Sequence, residues 1–345
     1  MNQEVLLTDQ TDEGVVKTDL EIVEEIGTAY QKMCGEIHKK IVGQDEIVES
    51  LLISIFAGGH CLMVGVPGLA KTLLVTSLCE ALHLDFKRIQ FTPDLMPSDI
   101  VGTEVIQDDP VTKERMYKFM AGPIFSNIIL ADEINRTPPK TQAAMLEAMQ
   151  EKQVSVGGKI YPLSKPFFVI ATQNPIDQEG TYPLPEAQQD RFLFSLFVDY
   201  PDAAEEMEIV RTVTSGTTED IVPVVSGEDI IKYQKLIKKA PVADHVLQYA
   251  VDLVRATRRE KEEATDFVKQ WISIGAGPRA SLALISAAKA RAILHGNYHV
   301  STEDVAAVAK PVLRHRIAPN FGAVAEGINS DKIIEHLLET IPQNG

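Results

Sequence analysis

The stretch Gly65-Val66-Pro67-Gly68-Leu69-Ala70-Lys71-Thr72 decides how this chain folds. It closes the apolar run His60–Val66, which predicts a short strand, and it leads into a predicted helix over Thr72–Leu82. A glycine-rich turn that enters a helix directs several backbone N–H groups at one point, where the helix dipole also favours an anion. The sequence therefore predicts a phosphate-binding loop at residues 65–72.

The last three residues of this loop define its chemistry. Lys71 can reach the β- and γ-phosphates of a nucleotide, and the hydroxyl of Thr72 can bind Mg²⁺. The loop departs from the GxxxxGK[ST] pattern because Ala70 replaces the last glycine. We expect the replacement to cost little, on the condition that residue 70 is already helical.

Strands alternate with helices over residues 41–198. Most of the apolar runs are separated by helix-length segments, and five of them predict strands: His60–Val66, Phe86–Phe91, Asn127–Ala131, Phe167–Thr172 and Phe192–Val198. This alternation is typical of a buried parallel sheet in an α/β fold. Two stretches interrupt it with turn signals, Asp108-Asp109-Pro110 within 104–119 and Gly157-Gly158 within 153–163, and they predict β-hairpin insertions.

The composition changes after Tyr200-Pro201, where helical periodicity begins. Helices are predicted over Asp202–Thr214, Gly227–Lys239, Ala243–Arg259, Pro278–His295 and Thr302–Arg316. We therefore expect three parts: an acidic N-terminal tail and helix start at 1–25, an α/β core at 26–200, and an all-α domain at 201–345. A chain of 345 residues is long enough for two domains.

Two acidic residues follow the apolar run that ends at Ala131. A carboxylate at the end of a strand beside a phosphate loop can hold Mg²⁺ or its waters, which predicts a metal role for Asp132. The next carboxylate, Glu133, can polarise a water that attacks a phosphate. The spacing of about 60 residues from the phosphate loop, with one strand between, makes this pair specific.

Three further polar residues are candidates, each with an ordinary alternative. Asn174 follows a predicted strand and can orient a water or a phosphate oxygen, or it can form a turn before Pro175. Arg191 precedes the last predicted strand and is either functional or part of a surface ion pair. Arg279 opens a helix, where the dipole disfavours a cation, so it either meets an anion of a ligand or partner or is a plain surface residue.

Composition and charge narrow the class of protein. The chain carries 33 basic and 49 acidic residues, a net charge of −16, and 45% hydrophobic residues. This charge argues against a general nucleic-acid binder. Three cysteines without a CxxC pair are typical of reduced thiols, and the acidic start lacks the features of a secretory signal. We expect a cytoplasmic protein without a membrane span.

The chain resembles the AAA+ ATPases, and more closely the MoxR family, over residues 25–335. The resemblance rests on Ile41-Val42-Gly43-Gln44, the phosphate loop, the stretch 91–102, LADEINR at 130–136, Ala171-Thr172-Gln173-Asn174-Pro175, the stretch 180–192 and GPRA at 277–280. It implies an AAA+ P-loop NTPase with a five-stranded parallel sheet, two hairpin inserts and a helical lid. The hairpins match the helix-2 insert and the pre-sensor-1 insert.

The resemblance also implies a role for each candidate. Ile41 and Val42 would flank the adenine, and residues 65–72 with Leu73 would hold the nucleotide. Asp132 would support Mg²⁺, Glu133 would activate water, and Gln90 is a candidate restraint on Glu133. Asn174 resembles sensor 1, Arg191 the arginine finger that acts on the next subunit, and Arg279 sensor 2; Arg136 is a further interface candidate.

The implied function is Mg²⁺-dependent ATP hydrolysis that drives remodelling or maturation of a partner protein or metal-cofactor complex. A self-assembled ring, a hexamer by resemblance, and a partner with a von Willebrand factor A domain would accompany it. Three alternatives remain: a magnesium-chelatase-type ATPase subunit, a nucleic-acid motor or transcriptional activator, and a nucleotide-binding scaffold without turnover.

Overall fold

The computed structural model of the chain describes residues 9–10, 16–108, 115–176, 180–215 and 219–343. Most of the predicted acidic tail, residues 1–8 and 11–15, lies outside the described residues. Asp109 and Pro110 of the first predicted turn also lie outside them. The chain forms two compact units, one from residues 37–47 and 58–228 and the other from 1–36, 48–57 and 229–345. The predicted domain boundary near residue 200 remains a prediction.

The first unit is built on a five-stranded parallel sheet, which confirms the predicted α/β fold. Its strands are β1 (Cys61–Val64), β2 (Phe86–Gln90), β3 (Ile128–Asp132), β4 (Phe168–Gln173) and β5 (Phe194–Phe197). Their order in the sheet is β5-β1-β4-β3-β2, and every neighbouring pair is parallel. The carboxyl ends of β1, β3 and β4 therefore lie side by side.

The position of each strand in the sheet explains its sequence. Residues 128–131 of β3 and 169–171 of β4 are fully buried, as continuous apolar strands require. In contrast, β2 is an edge strand, and its Lys87, Arg88 and Gln90 are exposed. The edge position accommodates the polar sequence FKRIQ, which would be costly in the centre of the sheet.

Helices and two hairpins complete the sheet unit. Its helices are Lys71–Ala81, Pro97–Val101, Pro139–Glu151, Glu186–Gln189 and Ala203–Ser215, with 3₁₀ turns at Pro123–Phe125 and Ile134–Arg136. The predicted insertions are antiparallel hairpins, Gly102–Asp108 with Arg115–Ala121 and Gln153–Val156 with Lys159–Pro162. The ring of Phe119 in the first hairpin stacks on that of Tyr161 in the second, with centroids 4.0 Å apart.

The second unit is mainly helical. Its helices are Asp19–His38 (up to residue 36), Asp45–Ala57 (from residue 48 on), Gly227–Lys239 (from residue 229 on), Asp244–Ala256, Asp266–Trp271, Pro278–Leu294, Thr302–Leu313, Phe321–Ala325 and Ser330–Thr340. The sequence analysis did not predict Asp266–Trp271, Phe321–Ala325 or Ser330–Thr340. It also did not predict the short antiparallel pair Ile272–Ile274 with Ala318–Pro319, which interrupts the otherwise helical C-terminal region. A second short pair joins Asp9–Gln10 to Val16–Lys17. A capping box at Ser301 and Asp304 starts the helix over Thr302–Leu313.

Candidate nucleotide site

The predicted phosphate loop connects β1 to the helix Lys71–Ala81. Gly68 has φ +90°, a conformation that glycine adopts without steric cost. At Gly65 the limit is space, because a Cβ there would lie 2.5 Å from the carbonyl oxygen of Val198. The N–H of Gly65 donates to the carbonyl of Gln173 at 3.1 Å, which ties the loop to the end of β4.

Ala70 corrects one expectation. It has φ +52° and ψ +19°, so the residue that replaces the last glycine is left-handed rather than helical. An L-residue in this region costs about 1–2 kcal/mol. The alanine is therefore a strained substitute at a position that favours glycine, and the helix begins one residue later, at Lys71.

Lys71 links the loop to the two acidic residues after β3. Its ammonium group is half-buried and donates a hydrogen bond to the carbonyl oxygen of Gly65. Burial lowers the pKa of Lys71, while the carboxylates of Asp132 and Glu133 act in the opposite direction. The three charges therefore share one site, as the sequence predicts.

Asp132 lies at the end of β3 and is bound on both oxygens. Its Oδ1 accepts a hydrogen bond of 2.6 Å from the hydroxyl of Thr172 on β4. Its Oδ2 accepts from Arg88 on β2, at 3.0 Å from Nε and 2.5 Å from Nη2. The neighbouring strands thus fix the orientation of this carboxylate.

Glu133 follows in a left-handed conformation, with φ +56°. Its N–H donates to the hydroxyl of Thr172 at 2.8 Å. Its Oε2 accepts from Arg136 at 2.8 Å and from Gln90 at 3.3 Å. The contact expected of Gln90 is present, and Arg136 pairs with Glu133 within the same chain; an interface role for Arg136 stays a prediction.

Asn174 and Arg191 are placed by the segments that follow β4. The Oδ1 of Asn174 accepts from the N–H of Ile176 at 3.1 Å, so the turn-forming alternative describes its side-chain oxygen. Asn174 lies at the same sheet edge as Asp132, because β4 and β3 are parallel neighbours. Arg191 is exposed just after the helix Glu186–Gln189.

The remaining candidates divide between the two units. Ile41 is buried and Val42 half-buried in the sheet unit, and Leu73 is 46% exposed on the first turn of the phosphate helix. Arg279 is exposed at the start of Pro278–Leu294 in the helical unit. The adenine and sensor-2 roles stay predictions.

The donors present fit Mg²⁺. Thr72 and Asp132 offer a hydroxyl and a carboxylate, the hard oxygen ligands that Mg²⁺ prefers, and Mg²⁺ commonly takes few protein ligands beside phosphate oxygens. Within the described residues there is no group of three or more His, Cys, Asp or Glu side chains that could hold a metal alone. Thr72 and Asp132 would therefore hold the ion together with a bound nucleotide.

Two residues of the site were not predicted. Arg88 and Thr172 both contact Asp132, and Thr172 also binds the backbone of Glu133. The sequence did carry a signal for both residues. Arg88 lies two positions before Gln90 on β2, and Thr172 lies two positions before Asn174 at the end of β4. Residues two positions apart on a strand share a face. What the sequence lacked was the strand register that pairs Gln90 with Asp132.

Comparisons with known proteins agree with this geometry. Residues 60–194 match the model of the ATPase family associated with various cellular activities, and residues 265–337 match the AAA lid domain. Chaperone MoxR1 of Mycobacterium tuberculosis is 42% identical over 306 residues, 89% of this chain and 80% of its own. Protein MoxR of Paracoccus denitrificans is 30% identical and covers 88% of this chain and 92% of its own. The crystal structure of a putative ATPase from Cytophaga hutchinsonii is 42% identical, with a TM-score of 0.86, and covers 94% of this chain and 98% of its own.

The fold and the grouped Lys71, Asp132 and Glu133 define an AAA+ ATPase, an enzyme that binds and hydrolyses ATP. The chain belongs to the MoxR family of these ATPases. The comparisons do not favour the magnesium-chelatase or nucleic-acid alternatives, and ATP hydrolysis excludes the scaffold without turnover. No helix in the described parts of the chain is long and apolar enough to cross a membrane.

Proposed function

We propose that the chain is a ring-forming, Mg²⁺-dependent ATPase that remodels a partner protein. The observation that supports it most is the grouping of one ammonium and two carboxylates at the carboxyl edge of the sheet, next to the phosphate loop. Phosphoryl transfer depends mainly on positioning and on neutralising charge, and these groups supply both.

Each group has a proposed task. The loop at residues 65–72, through the backbone N–H groups that follow Pro67, and the ammonium of Lys71 hold the phosphates, and Glu133 orients and polarises the attacking water. Bound Mg²⁺ would neutralise phosphate charge. Asn174 is proposed to orient the water or a phosphate oxygen from the end of β4. Oε2 of Glu133 is held by Arg136 at 2.8 Å and by Gln90 at 3.3 Å, so these two residues fix the orientation of the carboxylate that meets the water.

Arg191 is proposed to act on the ATP of a neighbouring subunit, with Arg279 as the lid cation. Its exposure supports this role, since a residue that acts across an interface has to be accessible in the single chain. An arginine supplied in trans contributes about 10³–10⁵ in rate. Repetition of one such head-to-tail contact closes a ring, and a hexamer is proposed by resemblance.

The hairpins support a client-binding role. They leave large apolar side chains exposed, which on a protein surface indicate an interaction site: Ile106, Met116, Tyr117, Met120 and Ile160. The relative named a chaperone supports a protein client. A partner with a von Willebrand factor A domain and a cytoplasmic location remain part of the proposal.

Turnover per subunit, measured against protein concentration, tests the trans arginine. We expect turnover to rise with concentration and then level off for the wild type and for Arg211→Ala, an exposed arginine on the helix Ala203–Ser215. Arg191→Ala should stay nearly inactive at every concentration while it still binds ATP. Turnover per subunit that is constant down to concentrations where the chain is monomeric would contradict the proposal.

A further inference from the structure

Tyr182, on the stretch 180–191 that leads to Arg191, is held by the turn that follows Glu133. The N–H of Tyr182 donates to the carbonyl oxygen of Asn135 at 2.6 Å. The carbonyl oxygen of Tyr182 accepts from Nε2 of Gln142 at 2.9 Å. Both polar groups of the Tyr182 backbone are therefore bound to residues next to the site.

Gln142 joins two segments with one amide group. It is fully buried on the helix Pro139–Glu151, and its Nε2 also donates to the carbonyl oxygen of Ile134 at 3.1 Å. One hydrogen of the amide thus reaches the turn after Glu133, and the other reaches the Tyr182 segment. The reverse orientation of the amide would place three carbonyl oxygens together, so the donor arrangement is the one that the site permits.

Asn135 makes the second connection. It is 4% exposed, and its Nδ2 donates to the backbone oxygen of Asn174 at 3.3 Å. The turn Ile134–Arg136 therefore contacts both Asn174, at the end of β4, and Tyr182.

A short series of hydrogen bonds leads from the region of Tyr182 to Arg191. Leu184 is 3% exposed in the core, and its carbonyl accepts from Nε2 of Gln189 at 2.8 Å. The N–H of Arg191 donates to the carbonyl of Gln188 at 3.3 Å. A shift at Tyr182 would therefore be transmitted through a short, hydrogen-bonded stretch to Arg191.

A contribution to the stability of the fold does not by itself explain why residues 135 and 142 carry amide side chains. The buried oxygens Asn135 Oδ1 and Gln142 Oε1 have no hydrogen-bond partner among the residues that the structure describes. A buried polar atom without a partner costs about 1–3 kcal/mol, which offsets much of what the donated bonds contribute. Apolar side chains would fill the same space without that cost, but they could not hold the Tyr182 backbone.

We propose that Gln142 and Asn135 are positioning residues that fix Arg191 for its action on the neighbouring subunit. The proposal rests on the proposed trans role of Arg191. It assigns both amides to the presentation of the arginine and not to the chemistry of their own subunit's site.

The first test uses Gln142→Met, which keeps the length of the side chain and removes its hydrogen bonds. Gln150→Met, an exposed glutamine on the same helix, is the matched control. We expect Gln142→Met to keep its ATP affinity and KM and to lose at least about tenfold in kcat, because a misplaced catalytic group loses much of its rate effect. The control should keep the wild-type kcat.

Mixed rings then locate the defect. Subunits with Glu133→Gln hydrolyse poorly but carry an intact Arg191, so adding them to Gln142→Met subunits should restore turnover severalfold. Arg191→Ala mixed with Glu133→Gln is the reference, and it should recover in the same way. Asn135→Ala provides a second variant for the same mixture if Gln142→Met does not fold.

Two results would overturn the assignment. One is a wild-type kcat in Gln142→Met; the other is a reference mixture that recovers while the Gln142→Met mixture does not, because the defect then lies in its own site. A reference mixture that fails to recover refutes the trans role of Arg191 itself, and with it the basis of this proposal.

Discussion

His60, at the start of the strand that leads into the phosphate loop, makes the protein sensitive to acid. The side chain is 6% exposed; its Nδ1 accepts from the N–H of Val169 at 3.0 Å, and its Nε2 faces the carbonyl oxygen of Met149 at 3.2 Å. The ring is therefore neutral, with its proton on Nε2. Burial lowers the pKa of His60 from about 6.5 to about 4, mainly because a charged imidazolium would be desolvated.

This lowered pKa sets the direction of the effect. Below about pH 6.5 the unfolded chain binds a proton at His60 that the folded chain does not bind, so the free energy of unfolding falls as the pH falls. The contribution is fully present above about pH 7 and is lost toward pH 4. A pKa difference of about 2.5 corresponds to about 3 kcal/mol in total, of which about 2 kcal/mol is lost between pH 7.5 and pH 5.

Urea unfolding of the wild type and His60→Gln at pH 7.5, 6 and 5 measures this difference. The variant cannot titrate at this position and should be less stable at pH 7.5, because it cannot keep both hydrogen bonds of the imidazole. The gap between the two proteins should narrow by about 2 kcal/mol at pH 5. A gap that is constant with pH, or an NMR titration of the His60 ring with a pKa near 6.5, would refute the buried neutral histidine.

Three substitutions around the site have expected outcomes of their own. Ala70→Gly relieves the left-handed alanine and should raise the free energy of unfolding in urea by about 0.5–1 kcal/mol after the added backbone entropy; a lower free energy of unfolding would contradict the strain. Gly65→Ala places a Cβ 2.5 Å from the carbonyl oxygen of Val198, so the loop has to shift and ATP affinity should fall at least about tenfold in a calorimetric titration; unchanged affinity would show that the loop adapts. Arg88→Gln removes a half-exposed cation from Asp132, and Mn²⁺ binding with a non-hydrolysable ATP analogue, measured by EPR, should tighten about fivefold; weaker binding would mean that Arg88 holds the carboxylate in place for the metal.

The sheet could be predicted because the burial of a central strand leaves a clear pattern in its sequence. Runs such as 128–131 and 168–171 are apolar at every position, as the interior of a parallel sheet requires, and the phosphate loop marks where one of them ends. Weaker signals come from the short helix Asp266–Trp271 and from the strands around Ile272 and Ala318. These elements are too short for a hydrophobic periodicity to be recognised in their sequence. Thr265 does cap that helix by accepting from the N–H of Val268, a signal that the prediction did not use.

The sequence predicted the charged residues of the candidate site but not the hydrogen bonds that connect them to neighbouring strands. Lys71, Asp132 and Glu133 belong to local motifs, and a motif can be recognised without knowledge of the fold. The partners of those charges, Arg88 and Thr172, come from other strands and depend on register. Gln142 is less predictable still, because a glutamine in a helix is usually exposed, and its burial follows from the packing of the whole core.

ATP affinity and turnover of the wild type, Lys71→Ala and Glu133→Gln, measured together in the presence of Mg²⁺, test whether Lys71 binds the phosphates and Glu133 activates the water. We expect Lys71→Ala to bind ATP about 10–100-fold more weakly, because it loses a charged hydrogen-bond donor to phosphate. We expect Glu133→Gln to bind ATP as tightly as the wild type and to hydrolyse it at least about 100-fold more slowly. Wild-type turnover by Glu133→Gln, or wild-type ATP affinity of Lys71→Ala, would contradict the assignment of this site.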